Sequence, residues 1–226
     1  SAVSTDLNNV TAGIAGAPQA MTVAFGAPLP TAGQKLDVSF TLPDGTTETL
    51  SLVAIESGTP NDGEFLVGAD ANATAANFQT ALARDVEALA QTALKPASAQ
   101  RAATEFFEYD AGNPPKRVDG PPFATATGVV DATTTDTVFW YKGDTATTPI
   151  RNSALAKIDD GRTIGYATRA DEGPTRDTIK ALAVLSALEF DEADTFSQRA
   201  FNETTQRIGG KFAFKDTTSL ADVRTQ

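Results

Sequence analysis

Hydrophobic positions recur with two different periods along the chain, and the switches between them divide it into segments. At the start, Val3, Leu7, Val10 and Ile14 are spaced by 4, 3 and 4 residues. That spacing predicts one apolar stripe of a helix, of the kind that lies in a coiled-coil seam. The residues between are mostly Ser, Thr, Asp, Asn and Gly, weak helix formers. Residues 1–20 are therefore expected to be the frayed end of a longer coil helix, with a disordered leader as the alternative. From Met21 the period becomes two. Lys35–Leu42 places Leu36, Val38, Phe40 and Leu42 on one face, Pro43-Asp-Gly45 supplies a turn, and Thr47–Ile55 runs back, which predicts a β-hairpin. A second turn, Thr59–Gly63, leads to a short strand at Glu64–Val67.

A helical period takes over at Ala71. Asn72 or Thr74 can cap it, and Phe78, Leu82, Val86, Leu89 and Ala93 share one face until Lys95-Pro96 ends it. A second helix is expected over about 97–109, packing with Ala99, Ala102, Ala103, Phe106 and Phe107. Residues 111–136, rich in Pro, Gly and Thr, read as an irregular crossing. Strands are expected at Thr137–Tyr141, Ile150–Ile158 and Arg162–Thr168, with Lys142–Asp144 and Asp159-Asp-Gly161 as turns. From Pro174 to about Ile208 the period is helical again, through Ile179, Leu182, Phe190, Phe196 and Phe201. The fold class is α+β: a β-hairpin/sheet insertion domain with two packed helices, flanked by helical ends. Its expected parts are 1–20, 21–110, 111–136, 137–172 and 173–226.

Composition narrows the chemistry. The 226 residues include no Cys and no His, which removes disulfides, thiolate metal sites, the cysteine nucleophile and the commonest general base. Eighteen Lys and Arg stand against 29 Asp and Glu, a net charge of −11, and the basic residues do not cluster as a nucleic-acid or anionic-membrane surface would need. No segment is apolar enough to span a membrane, and Ser1-Ala-Val-Ser-Thr carries neither a basic nor a continuous apolar leader.

Candidate motifs are weak. Asp70-Ala-Asn72-Ala-Thr74 opens like a calcium loop, but Ala75 and Ala81 occupy the places of the required Gly and bidentate Glu, so helix capping explains it better. Gly209-Gly-Lys211 has no strand before it and no Gly at the motif's start. Ser153 and Lys157 could suggest a Ser–Lys pair, yet nothing beside them builds an oxyanion site. Phe139-Trp140-Tyr141 could form a stacking platform only with exposed rings on one sheet face. No catalytic, cofactor or metal residue is therefore assigned.

The set of local motifs nevertheless has a family look. Phe65-Leu-Val-Gly68 followed by Ala73–Phe78 resembles the insertion domains of bacterial flagellins and hook-associated proteins. Gly120–Thr127, Thr137–Asp144, Ala156–Tyr166 and Arg169-Ala-Asp-Glu172, in that order, resemble the flagellar hook–filament junction proteins (hook-associated protein 3) of alphaproteobacteria. The resemblance covers most of residues 60–208 and implies a secreted, extracellular, non-enzymatic structural subunit without cofactors. It implies an antiparallel terminal coiled coil, of which 1–20 and 173–226 would be stubs, with the inserted domain facing outward. The chain is then a fragment lacking most of the terminal helices, expected to be monomeric although the whole protein assembles. Implied partners are other flagellar subunits (hook-associated proteins and flagellin) and an export chaperone. Val3, Leu7, Val10, Ile14, Ile179 and Leu182 are the subunit-interface candidates. A flagellin filament subunit, or a surface carbohydrate- or host-binding module, are the alternatives.

Overall fold

The computed structural model describes the whole chain except Pro18, Ala111, Thr127, residues 144–152 and residues 213–226. The chain is α+β and divides into two compact units. The first comprises Ser1–Ser98 with Phe190–Glu203, and the second Ala99–Glu189 with the described residues from Thr204 on.

In the first unit, strands β1 (Ala2–Thr5), β4 (Lys35–Thr41), β5 (Thr47–Ile55) and β6 (Glu64–Leu66) form one sheet in the order β1-β4-β5-β6, and β2 (Val10–Ala15) pairs with β3 (Ala20–Phe25) as a ribbon. The β4–β5 hairpin is the one its alternation predicts, with Leu36 opposite Leu52 and Val38 opposite Leu50. The short strand expected at 64–67 forms, running parallel to β5. Leu36, Val38, Leu52, Ala54 and Phe65 are buried, and helix α1 (Ala71–Leu89) covers them with Phe78 and Ala81. Rings of Phe25, Phe65 and Phe78 meet with centroids 5.3–6.1 Å apart, with the Phe65–Phe78 pair edge-to-face, a geometry that the ring quadrupoles favour.

Residues 1–20 correct the expectation of a coil helix. Val3 lies on β1 opposite Val38, Leu7 is only 6 % exposed, Val10 lies opposite Phe25 and Ile14 opposite Met21. The helical seam does not form. Asn9 and Gly16 adopt positive φ, which interrupts any helix through the segment, and the free edge of β4 offers β1 a full set of backbone partners. Three of the four stripe residues, Val3, Leu7 and Val10, pack on the first core instead.

Two helix boundaries also differ from expectation. Lys95-Pro96 does not end the helical run; a π-helical turn at Ala90–Leu94 joins α1 to α2 (Lys95–Phe107). Pro96 lacks an N–H and its ring would meet the carbonyl four residues earlier, so the wider turn lets the helix pass through. Conversely, the single helix expected over 174–208 is two, α3 (Gly173–Ala187) and α4 (Thr195–Phe212). Leu188 is extended, and Asp194 accepts the N–H groups of Phe196 and Ser197 at 3.2 and 3.0 Å, a helix start that competes with continuation. The remainder of the expected C-terminal coil, 213–226, lies outside the described residues.

In the second unit, Ala103, Ala181, Val184 and Ile208 form a small core with Ala99, Phe107, Leu185 and Leu188 against it. The expected irregular crossing contains a ribbon, β7 (Lys116–Val118) with β8 (Val129–Asp131). A second ribbon, β9 (Leu155–Asp159) with β10 (Arg162–Gly165), turns at Asp160-Gly161 as expected. The strand expected at Thr137–Tyr141 does not form: the Tyr141 N–H goes to the Tyr109 hydroxyl at 3.2 Å, and the Trp140 indole N–H to the Phe107 carbonyl at 3.2 Å. Residue 144 and the first residues of the strand expected at 150–158 lie outside the described residues.

These packing differences set the cost of truncation. Phe65→Ala removes a fully buried ring and should destabilise the first unit by about 3–5 kcal/mol. Leu182→Ala, at a side chain 58 % exposed, should stay within about 0.5 kcal/mol. Urea denaturation of the two variants checks the contrast.

Candidate functional site

A cleft of about 510 Å³ in the first unit lies between β5, the turn before β6, α1 and α4, and its ionisable lining residues are Glu48, Asp62, Asp85, Arg199 and Glu203. Asp85 is the deepest of these. It sits on the inward face of α1 and is 7 % exposed. One carboxylate oxygen accepts the Gly63 N–H at 3.0 Å and the other the Arg84 Nε–H at 2.8 Å. Arg84 is held above its ordinary pKa, first by that bond and then by the charges of Asp85, Asp62 and Glu64, which together outweigh its partial burial. Gly63 has φ +77°, and a Cβ there would press on the Ser51 carbonyl at 3.2 Å, so the turn is built for glycine. Asp85 therefore fastens the 59–63 turn to α1.

The second unit repeats this pattern. Lys180 is 3 % exposed on α3 and pairs with Asp177 at 2.8 Å and with Glu108. Burial opposes its charge, but hydrogen bonds and charges of Asp177 and Glu108 hold the ammonium above its ordinary value. The Tyr109 hydroxyl donates to the Tyr141 carbonyl, and its pKa is raised chiefly by burial. Arg169 binds Asp171 through two hydrogen bonds of 2.8 and 2.6 Å, while its N–H donates to Glu172 just before α3. The aromatic side chains of Phe139, Trp140 and Tyr141 are half-buried and contact one another or the Phe107 and Tyr109 rings, so they do not stand on one exposed sheet face.

Asp70, in the segment resembling a calcium loop, accepts the Ala73 N–H at 2.8 Å and caps α1; it takes the role expected of Asn72 or Thr74. Thr74 is instead fully buried, accepting the Gly68 N–H at 3.0 Å and donating to the Asp70 carbonyl at 2.8 Å. Lys157 pairs with the exposed Asp160. Among the described residues, no group of three or more Asp and Glu could hold a metal ion, and no helix is long and apolar enough to cross a membrane.

Of the six interface candidates, Val3, Leu7 and Val10 contribute to the first core, Ile14 and Ile179 are half-buried, and Leu182 points outward. The first four lie in the first unit and the last two in the second. The α3 side chains that carry the helix's own packing are Ala181, Val184 and Leu185, with Leu188 just past its end. The exposed apolar residues that periodicity overlooked lie on the second unit's ribbons and loops, among them Phe123, Val138, Ile164 and Tyr166. Alternation in Arg162–Tyr166 carried the signal for the last two.

The chain matches no protein-family model, no curated protein and no solved structure.

Two substitutions test the roles assigned to buried and exposed acids. Asp85→Ala leaves the Gly63 N–H without its partner and should cost about 1–3 kcal/mol, whereas Asp160→Ala at the exposed ion pair should cost less than about 1 kcal/mol. Chemical denaturation distinguishes them. A third test uses acid. Asp136 accepts the Thr133 N–H and the Thr137 hydroxyl, which hold its carboxyl at about 2, below the ordinary 3.8. Its contribution is present above the ordinary carboxylate range and is lost as pH falls through about 2. Fluorescence of Trp140, the one tryptophan, should report a transition in that window that Asp136→Ala abolishes.

Proposed function

We propose that this chain is part of a structural subunit of the bacterial flagellum, a hook–filament junction protein of the flagellin superfamily, with the described units as its outward-facing region. The reading rests on the ordered set of motifs between residues 60 and 208. Some of those motifs coincide with corners of the fold, while Thr127 and Asp144 of two others lie outside the described residues. Phe65 and Phe78, from the first motif pair, pack edge-to-face. Gly68 between them lies so close to Ala73 that an added Cβ would stand 2.5 Å from the Ala73 Cβ. Ala156–Tyr166 spans all of the β9–β10 ribbon but Leu155, and Arg169–Glu172 forms the charged entry to α3. A motif whose residues fix local geometry is what a shared architecture requires, and this supports the resemblance at the level of packing.

Its role is assembly by repeated heterologous contact, outside the cell, together with other hook-associated proteins and flagellin and after delivery by an export chaperone. The pairing of the buried charges of Asp85 and Lys180 favours this role over catalysis. The half-buried aromatic cluster favours it over a carbohydrate-binding platform. The segment 1–20 lends no support through a coil seam, since it is strand.

Immunogold electron microscopy with antibodies against this chain tests the proposal on intact cells of the source bacterium. Gold at the base of each filament is the expected result. Gold along the whole filament would assign the chain to flagellin, and label on the cell body alone would overturn the flagellar reading.

A further inference from the structure

The β9–β10 ribbon is the least supported part of the second unit. Among the described residues it is a sheet of two strands, and every residue of β9 is exposed. Its faces are unlike. Ala156 lies opposite Ile164, and Tyr166, two residues on, extends the same face by donating its N–H to the Ala154 carbonyl at 3.0 Å. Ile164 and Tyr166 are 52 % and 61 % exposed, as is Ile158 at 66 %. Leu155 and Lys157 point to the opposite face, across from Gly165 and Thr163. Two strands with an uncovered apolar face are marginal in water, and three or four strands are stable.

The two edges of the ribbon differ. On β9 the register shifts at Ile158, an extra residue opposite the Arg162/Thr163 step, and a bulge of this kind discourages further pairing. β10 is regular. Because the Tyr166 N–H points toward β9, alternation aims the backbone groups of Thr163 and Gly165 outward, to an edge that no other described strand occupies.

We infer that the β10 edge pairs antiparallel with β10 of a second copy of this chain, about a two-fold axis at Ile164. The sequence Arg162-Thr-Ile-Gly-Tyr166 is self-complementary in that register. Ile164 faces Ile164 of the second copy, Thr163 faces Gly165 through their outward backbone groups, and Arg162 faces Tyr166 on both sides of the axis. Arg162 is the only charged residue of β10, so no like charges oppose each other, and each guanidinium lies over an aromatic ring, an attractive pairing. The product is a four-stranded sheet in the order β9-β10-β10-β9 with one continuous apolar face. A sheet edge is a recognised site for strand addition. The contact is far smaller than the roughly 1,200 Å² of a stable dimer, so it is a weak association, monomeric when dilute. The inference stands on the ribbon and does not depend on the flagellar reading.

Sedimentation equilibrium of the chain from micromolar to millimolar concentration tests it. The average mass should rise from one copy toward two. Ile164→Lys puts two ammonium groups together at the axis, and Thr163→Pro removes an edge N–H; each should weaken association at least about tenfold. Leu155→Lys, on the other strand and face, should leave it unchanged, with circular dichroism showing that all variants are folded. A chain that stays monomeric at millimolar concentration, leaving the edge to some other occupant, overturns the inference. So does a dimer that Leu155→Lys weakens as much as Ile164→Lys.

Discussion

The edge-to-face contact of Phe65 and Phe78 holds the first unit together. The β4–β5 hairpin presents Leu36, Val38, Leu52 and Ala54 on one face, and an uncovered face of that kind would not be stable in water. α1 can cover it only if the chain leaves β6 and turns immediately into the helix. Phe65 fixes the end of the sheet, Phe78 fixes the helix, and the corner between them is tied by Asp70, Thr74 and the Gly68 N–H. Asp85, two turns further on, fastens the turn before β6 to the same helix. The corner therefore sets the position of both the cover and the cleft beside it.

Much of this was legible in the residues. The β4–β5 hairpin, the start of α1, the second helix and the Asp160-Gly161 turn all follow from local periodicity and turn chemistry, and each is present. What failed was non-local. Val3, Leu7, Val10 and Ile14 have helical spacing by coincidence, because β1 pairs with the distant β4 and β2 with β3, and the three-residue step from Leu7 to Val10 spans the break at Asn9. Pro96 is a stop in an isolated helix, but the π turn accommodates it. The break at 188–194 was locally signalled by Asp194 preceding Thr195, and the long apolar period obscured it.

The candidate site was legible only as an exclusion. Absence of His and Cys limits the chemistry, and the buried ionisable groups Asp85 and Lys180 serve to fix turns and helices through neighbouring partners. Which charged residues would be buried could not be read from spacing, since Asp85 on α1 and Lys180 on α3 are drawn inward by partners distant in sequence, Gly63 and Glu108. The interface candidates shared this weakness: a stripe of apolar residues does not say whether its partner is another copy or the rest of the same chain. In this protein Val3, Leu7 and Val10 pack on the first core, while Leu155, Ile158 and Ile164 on a short ribbon of the second unit are among the exposed apolar positions.

Deletion of the gene in the source bacterium is the sharpest test of the proposed structural role at the junction between hook and filament. The account predicts cells that carry hooks without filaments, shed flagellin into the medium, and regain filaments when the intact gene is restored. Normal filaments and normal motility in the deletion strain would contradict it.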